Sequence, residues 1–166
     1  MKKSRLPSGF TLIEILIVIS IGSIVMTIAA ARYNQLTQRK RIEQQTKNTI
    51  TFLRKIKKMA DSGEKFGCNG TLIQYNVWNY NSPPTQLSSV GVCTSGSGTP
   101  IVLNNQTGTK VQAERSFEFL PLSKGAKVDD PTTGAVENEV IITISNANNT
   151  ITREIAVDSG GNINEL

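Results

Sequence analysis

The sequence predicts an α+β chain in which one long N-terminal helix packs on a small antiparallel β-sheet head. Three observations carry that expectation. The strongly apolar residues gather near the start of the 166-residue chain. A helical pattern then continues to about Ala60, with neither Pro nor Gly after Arg32. Past Gly63 the pattern changes to short alternating runs separated by Gly, Asn, Ser and Pro.

The first element is the run from Phe10 to Ala31, whose one charge is Glu14. As a helix at ~1.5 Å per residue it spans roughly 33 Å, close to the ~30 Å hydrocarbon core of a bilayer. Lys2, Lys3 and Arg5 precede it, which predicts a cytoplasmic leader and a head on the other side of the membrane. A competing expectation is an ordinary secretory signal, because Ala29-Ala30-Ala31 has the small-x-small pattern of a cleavage site. The mature protein would then be soluble and start at Arg32. The apolar stretch of such signals runs about 7 to 15 residues, shorter than this one.

Glu14 is the anomaly. A carboxylate in a membrane helix costs on the order of 3 kcal/mol on insertion scales, so it is usually there for a partner. A cut before Phe10 would create an α-amino group one helical turn away. That ammonium, or the one on a neighbouring subunit, would pair with the carboxylate.

Ser8-Gly9-Phe10-Thr11-Leu12-Ile13-Glu14 behind a short basic leader resembles the prepilin signature of bacterial type IV pilins and type II secretion pseudopilins. The resemblance implies a pilin-like fold and cleavage by the membrane prepilin peptidase between Gly9 and Phe10. It also implies N-methylation of Phe10, and a Glu14 that meets the amino terminus of an adjacent subunit during assembly. The chain then divides into a leader (1–9, removed), a transmembrane half-helix (10–31), an amphipathic half-helix (32–62) and a β-rich head (63–166). Its partners would be other pilin or pseudopilin subunits, the peptidase and the inner membrane, which it crosses once before entering a periplasmic or cell-surface filament.

If the two halves are continuous, the helix from about Phe10 to about Ala60 is on the order of 75 Å long. In its second half Ile42, Thr46, Thr49, Ile50, Leu53, Ile56 and Ala60 recur every three or four residues as one moderately apolar stripe. Asp61-Ser62-Gly63 then ends it, with Gly suited to a left-handed cap. Residues 32–58 hold nine Lys/Arg against Glu43, whereas residues 59–166 hold six against eleven acids. Only the helix is basic. A solvated face explains that, as does pairing with acids of neighbouring subunits or with anionic lipid. Without interleaved aromatics it is weak evidence for nucleic acid.

In the head, Thr71 to Trp78 alternates, with Leu72, Gln74, Asn76 and Trp78 on one face and Ile73, Tyr75 and Val77 on the other. Val90 to Val92 and Ile101 to Leu103 are shorter strand candidates. Ser116 to Leu120 puts Phe117 and Phe119 on one side. Val140 to Ile144 and Ile151 to Val157 form a hairpin joined by residues 145–149. The inner face of such a sheet needs a cover, which the helix stripe can supply.

Cys68 and Cys93 are the two cysteines; they pair in an oxidising compartment or remain small core residues. A bridge would close a loop of about 25 residues, for ~3 kcal/mol in the chain-entropy model. With no His in the chain, His-based triads and the commonest metal ligand are excluded, and the sequence does not read as an enzyme or imply a cofactor. Asp129, Asp130, Glu137 and Glu139 flank a Pro-Thr-Thr-Gly turn and are a weak Ca²⁺ candidate, without EF-hand spacing.

The Phe117-Glu118-Phe119-Leu120-Pro121 segment, the two late strands and Gly160-Gly161 loosely resemble H-type minor pseudopilins and their pilus-side relatives. Major subunits of the family typically have Pro at the place of Ala31, so its absence leans toward a minor subunit. Some pilus-side relatives bind DNA, which makes a DNA- or surface-binding tip subunit a rival reading. The C-terminal region carries Arg153 among several acids and favours that rival little.

Overall fold

The computed structural model describes residues 11–80, 85–128 and 138–166. It comprises one helix, α1 (Leu12–Ser62), followed among the described residues by ten strands. These are β1 (Leu72–Tyr80), β2 (Gln86–Cys93), β3 (Gly96–Ser97), β4 (Ile101–Val102), β5 (Thr109–Ala113), β6 (Phe117–Phe119), β7 (Ala126–Lys127), β8 (Glu139–Asn146), β9 (Thr152–Asp158) and β10 (Ile163–Glu165). The expected α+β class is the observed one. The chain divides into two compact units, Met1–Thr37 and Gln38–Leu166.

Within the second unit the β structure forms two antiparallel sheets. The larger has the order β3-β2-β1-β6-β7, with β4 also paired to β2; the smaller is β10-β9-β8-β5. Their inner faces and the helix share one core cluster: Tyr75, Val77 and Leu87, Phe117 and Phe119, Val111, Ile142, Ile144, Ile155 and Val157. Phe117 and Phe119 meet edge-to-face, with ring centroids 5.4 Å apart. Fully burying each such side chain contributes roughly 1.5–3 kcal/mol.

The helix cover is wider than the expected stripe. Gln45, Phe52 and Met59 are buried alongside Ile42, Thr46, Thr49, Leu53, Ile56 and Ala60, whereas Ile50 is half-buried. The polar members are satisfied at home: Thr46 and Thr49 donate to the carbonyls of Ile42 and Gln45, each at 2.9 Å. Gln45 reaches outward instead. Its Nε2 donates to Asn105 Oδ1 at 3.2 Å, and its Oε1 accepts from the Gln106 amide at 2.8 Å. A buried amide thus ties the helix to the loop before β5, with both its nitrogen and its oxygen hydrogen-bonded.

The helix ends as its sequence suggests. Gly63 adopts φ 67°, its amide donates to Ala60 O at 3.0 Å, and the Glu64 amide donates to Met59 O at 2.9 Å. This pair is the Schellman closure, and the left-handed φ it requires favours glycine.

One expectation about faces is corrected. Ile73 is 45% exposed, not grouped with Tyr75 and Val77, while Leu72 is buried. The register of β1 against β2 shifts between Leu72 and Gln74, and this bulge reverses the alternation at its start. The late hairpin is present, with Val140–Ser145 paired to Val157–Thr152.

Candidate processing and assembly site

Gly9 and Phe10, the expected cleavage and methylation positions, lie outside the described residues. The description begins at Thr11, and Thr11 is the helix N-cap. Its carbonyl accepts from the amides of Glu14 and Ile15 at 3.2 and 3.3 Å, and its Oγ1 lies 3.4 Å from the Glu14 amide. Thr11-Leu12-Ile13-Glu14 has the T-x-x-E spacing of a capping box. Glu14 therefore sits in the first turn, at the end where the helix dipole favours a negative charge. Its carboxylate is exposed and has no hydrogen-bond or ion-pair partner among the described residues.

The helix around it is suited to a low-dielectric environment. The large apolar side chains from Leu12 to Ile28 are 50–83% exposed. By length and composition α1 can cross a membrane. Its hydroxyls do not interrupt that: Ser20, Ser23 and Thr27 each donate at 2.8 Å to the carbonyl four residues earlier. Such back-bonding hides the polar hydrogen where no water is available. An exposed apolar surface of this extent is the kind that marks a membrane or protein interaction site.

In the head, Cys68 and Cys93 form a disulfide with Cα atoms 5.9 Å apart. It fastens the turn after the helix to the end of β2. Tyr75 reinforces the same corner. Its hydroxyl donates to Glu64 O at 2.8 Å and accepts from the Phe66 amide at 3.2 Å, and burial pushes its phenol up from the usual range. Its ring lies over Gly91, its register partner across the strands, where a Cβ would meet ring carbons at 3.2 Å.

Of the four acids weighed as a calcium site, Asp129, Asp130 and Glu137 lie outside the described residues. Glu139 is exposed at the start of β8, in register with Asp158 of β9. Asp158 is held below the usual carboxylate range by the Asn162 side chain and amide, which donate to it at 2.9 and 2.8 Å. Among the described residues no group of three or more His, Cys, Asp or Glu could hold a metal ion.

One feature escapes the linear sequence. Register places Glu139, Thr143 and Glu154 on the outer face of the smaller sheet, and Glu114 follows β5 beside Ile141. These acids are dispersed along the chain and converge only through strand pairing. The signal in the sequence was the acidic excess of residues 59–166, without its location.

Residues 5–30 match the family model of the prokaryotic N-terminal methylation motif, the signature shared by type IV pilins and pseudopilins. No curated protein and no solved structure shows significant similarity to the chain.

Proposed function

We propose that this chain, whose residues 5–30 carry the N-terminal methylation motif, is a structural subunit of a type IV pilus-like or type II secretion pseudopilus filament. The motif implies a pilin-like substrate of the prepilin peptidase. The finer reading is cleavage between Gly9 and Phe10, methylation of the new amino group, and a single membrane pass by residues 10–31 with the head outside. Residues 1–9 are then the leader, 32–62 the part of the helix that carries the head, and 63–166 the head. Packing of apolar helices supplies most of the assembly free energy, and Glu14 pairs with the amino terminus of a neighbouring subunit to set axial register. Ala31 in place of the Pro typical of major subunits favours a minor one.

The observation that carries this reading is the conjunction of the motif with an exposed, unpartnered Glu14 in the first turn of an apolar helix. An ammonium at Phe10 gives that carboxylate the partner it lacks. The test is the intact mass and N-terminal sequence of the protein taken from its native membrane. A chain starting at Phe10 and heavier by one methyl group is the expected result. A chain starting at Arg32 removes Glu14 from the mature protein and overturns the reading in favour of a secreted β-rich domain.

A further inference from the structure

The solvent face of the helix in the second unit is a line of cations. Lys40, Lys47, Arg54 and Lys58 follow one another at spacings of seven, seven and four residues, which keeps them on one side at 3.6 residues per turn. Lys40 and Lys47 share Glu43, at 3.1 and 2.9 Å. Asp61 follows Lys58 by three residues at the end of the line, where its carboxylate accepts from the Ser123 amide at 3.1 Å. Arg54, Lys55 and Lys58 are exposed and make no ion pair among the described residues.

The outer face of the β10-β9-β8-β5 sheet has the opposite character. Glu114, Glu139 and Glu154 are exposed there and likewise have no ion-pair partner among the described residues. Glu114 and Glu154 border a depression of about 620 Å³ whose floor includes Ile141 and Thr143. Glu139 stands in register with Asp158, a like-charge arrangement that is unfavourable in an isolated sheet. Among the described strand residues of that face, Lys110 is the one cation.

Helix and sheet contribute their other sides to a single core cluster. The cationic line and the acidic face are therefore separate surfaces of the second unit, each turned away from that core. Two different, charge-complementary patches on one copy make a heterologous contact, which runs from copy to copy as an open array unless its rotation closes a ring. We infer that Arg54, Lys55 and Lys58 of one copy dock on Glu114, Glu139 and Glu154 of the next. The inference rests on the filament reading for bringing successive copies together, and a short run of copies is enough. Electrostatic complementarity of this kind sets register and selects the neighbour more than it adds affinity.

The test uses the full-length protein in its native membrane. A zero-length carbodiimide, applied to a mixture of isotopically distinct copies, is expected to join Lys55 or Lys58 of one copy to Glu114, Glu139 or Glu154 of another. Co-isolation of two differently tagged copies then reads the charge swap. Arg54→Glu with Lys58→Glu should lower recovery of the second copy about tenfold, the scale of two exposed ion pairs. Glu114→Lys with Glu154→Lys should do the same, and combining the four changes should restore recovery. All four side chains are exposed, so the fold is expected to survive. Absence of these cross-links between copies overturns the contact. So does a loss on reversing the helix cations that the sheet reversal does not repair, the behaviour expected of anionic lipid or nucleic acid on that line. The mature N-terminus is read from the same sample. A start at Arg32 would sink the filament reading, while the cross-links and the swap would still decide the contact.

Discussion

At the scale of single residues, Gln45 and Tyr75 are fully buried yet reach loop backbone or side chains with their polar ends. Gln45 has no solvent exposure, yet it serves the Asn105 side chain and the Gln106 amide. Gln45→Leu fills the space but removes hydrogen bonds to two part-buried partners, each worth roughly 0.5–1.5 kcal/mol. Denaturant unfolding of the full chain in detergent should show a loss of about 2 kcal/mol; a change within about 0.5 kcal/mol, as for an ordinary surface substitution, would mean the loop finds other partners. Tyr75 is a similar case. Tyr75→Phe retains the ring over Gly91 and removes the bridge between Glu64 O and the Phe66 amide, for an expected loss of about 1 kcal/mol. Faster amide hydrogen exchange at Phe66 is the accompanying sign. Unchanged exchange there would show that the turn holds without the hydroxyl.

At the scale of elements, the end of the helix and the first strands are fastened by a covalent and a conformational device together. The disulfide spans a sequence separation of 25, and the Schellman turn at Gly63 aims the chain toward it. Replacing both Cys68 and Cys93 by Ser should cost about 3 kcal/mol, in the chain-entropy account of a loop that long. The measurement is the unfolding midpoint of the variant against the oxidised parent, and equal midpoints would show that Tyr75 and the core suffice. The helix carries its own pH dependence at Glu43. Hydrogen bonds from Lys47 and then Lys40, with their charges, lower its pKa from the usual 4.5 to about 2. Its contribution is fully present above about 4.5 and is lost as the pH falls through about 2. A carboxyl NMR titration should find this midpoint displaced downward, and Glu43→Gln should remove that part of the acid response. A midpoint at the ordinary glutamate value would show that the two lysines are solvated instead.

At the scale of the whole molecule, the chain joins an exposed apolar helix to a head that has its own core and separate cationic and acidic faces. Glu14 belongs to this level, because its proposed partner lies on another subunit. Glu14→Gln retains size and hydrogen bonding and removes the charge. The expected outcome is normal cleavage before Phe10 with the processed protein held in the membrane, and incorporation into filaments reduced at least tenfold, the loss anticipated when one partner of a desolvated charge pair is removed. Filament recovery and the N-terminal sequence of the membrane fraction check this together. Undiminished incorporation would assign Glu14 to capping its own helix.

The parts legible in the linear chain were those governed by neighbours in sequence. The apolar run, its single carboxylate, the stripe from Ile42 to Ala60 and the Gly63 stop all follow from period, spacing and the conformational freedom of one glycine. The shared face of Tyr75 and Val77, the Phe117/Phe119 pair and the late hairpin were legible for the same reason, because alternation is a local property; which face turns inward was not. The rest depended on which segments meet. Strands β3, β7 and β10 are two or three residues long and carry little apolar signal, so pairing alone defines them. The bulge that turns Ile73 outward exists only against β2, and the role of Gln45 only against the loop at Asn105. The acidic face is a product of register, since Glu114, Glu139 and Glu154 are far apart in the chain until β5, β8 and β9 align. Period and capping act over a turn or two of backbone, whereas pairing and burial act across the chain, and that difference in range separates the two groups.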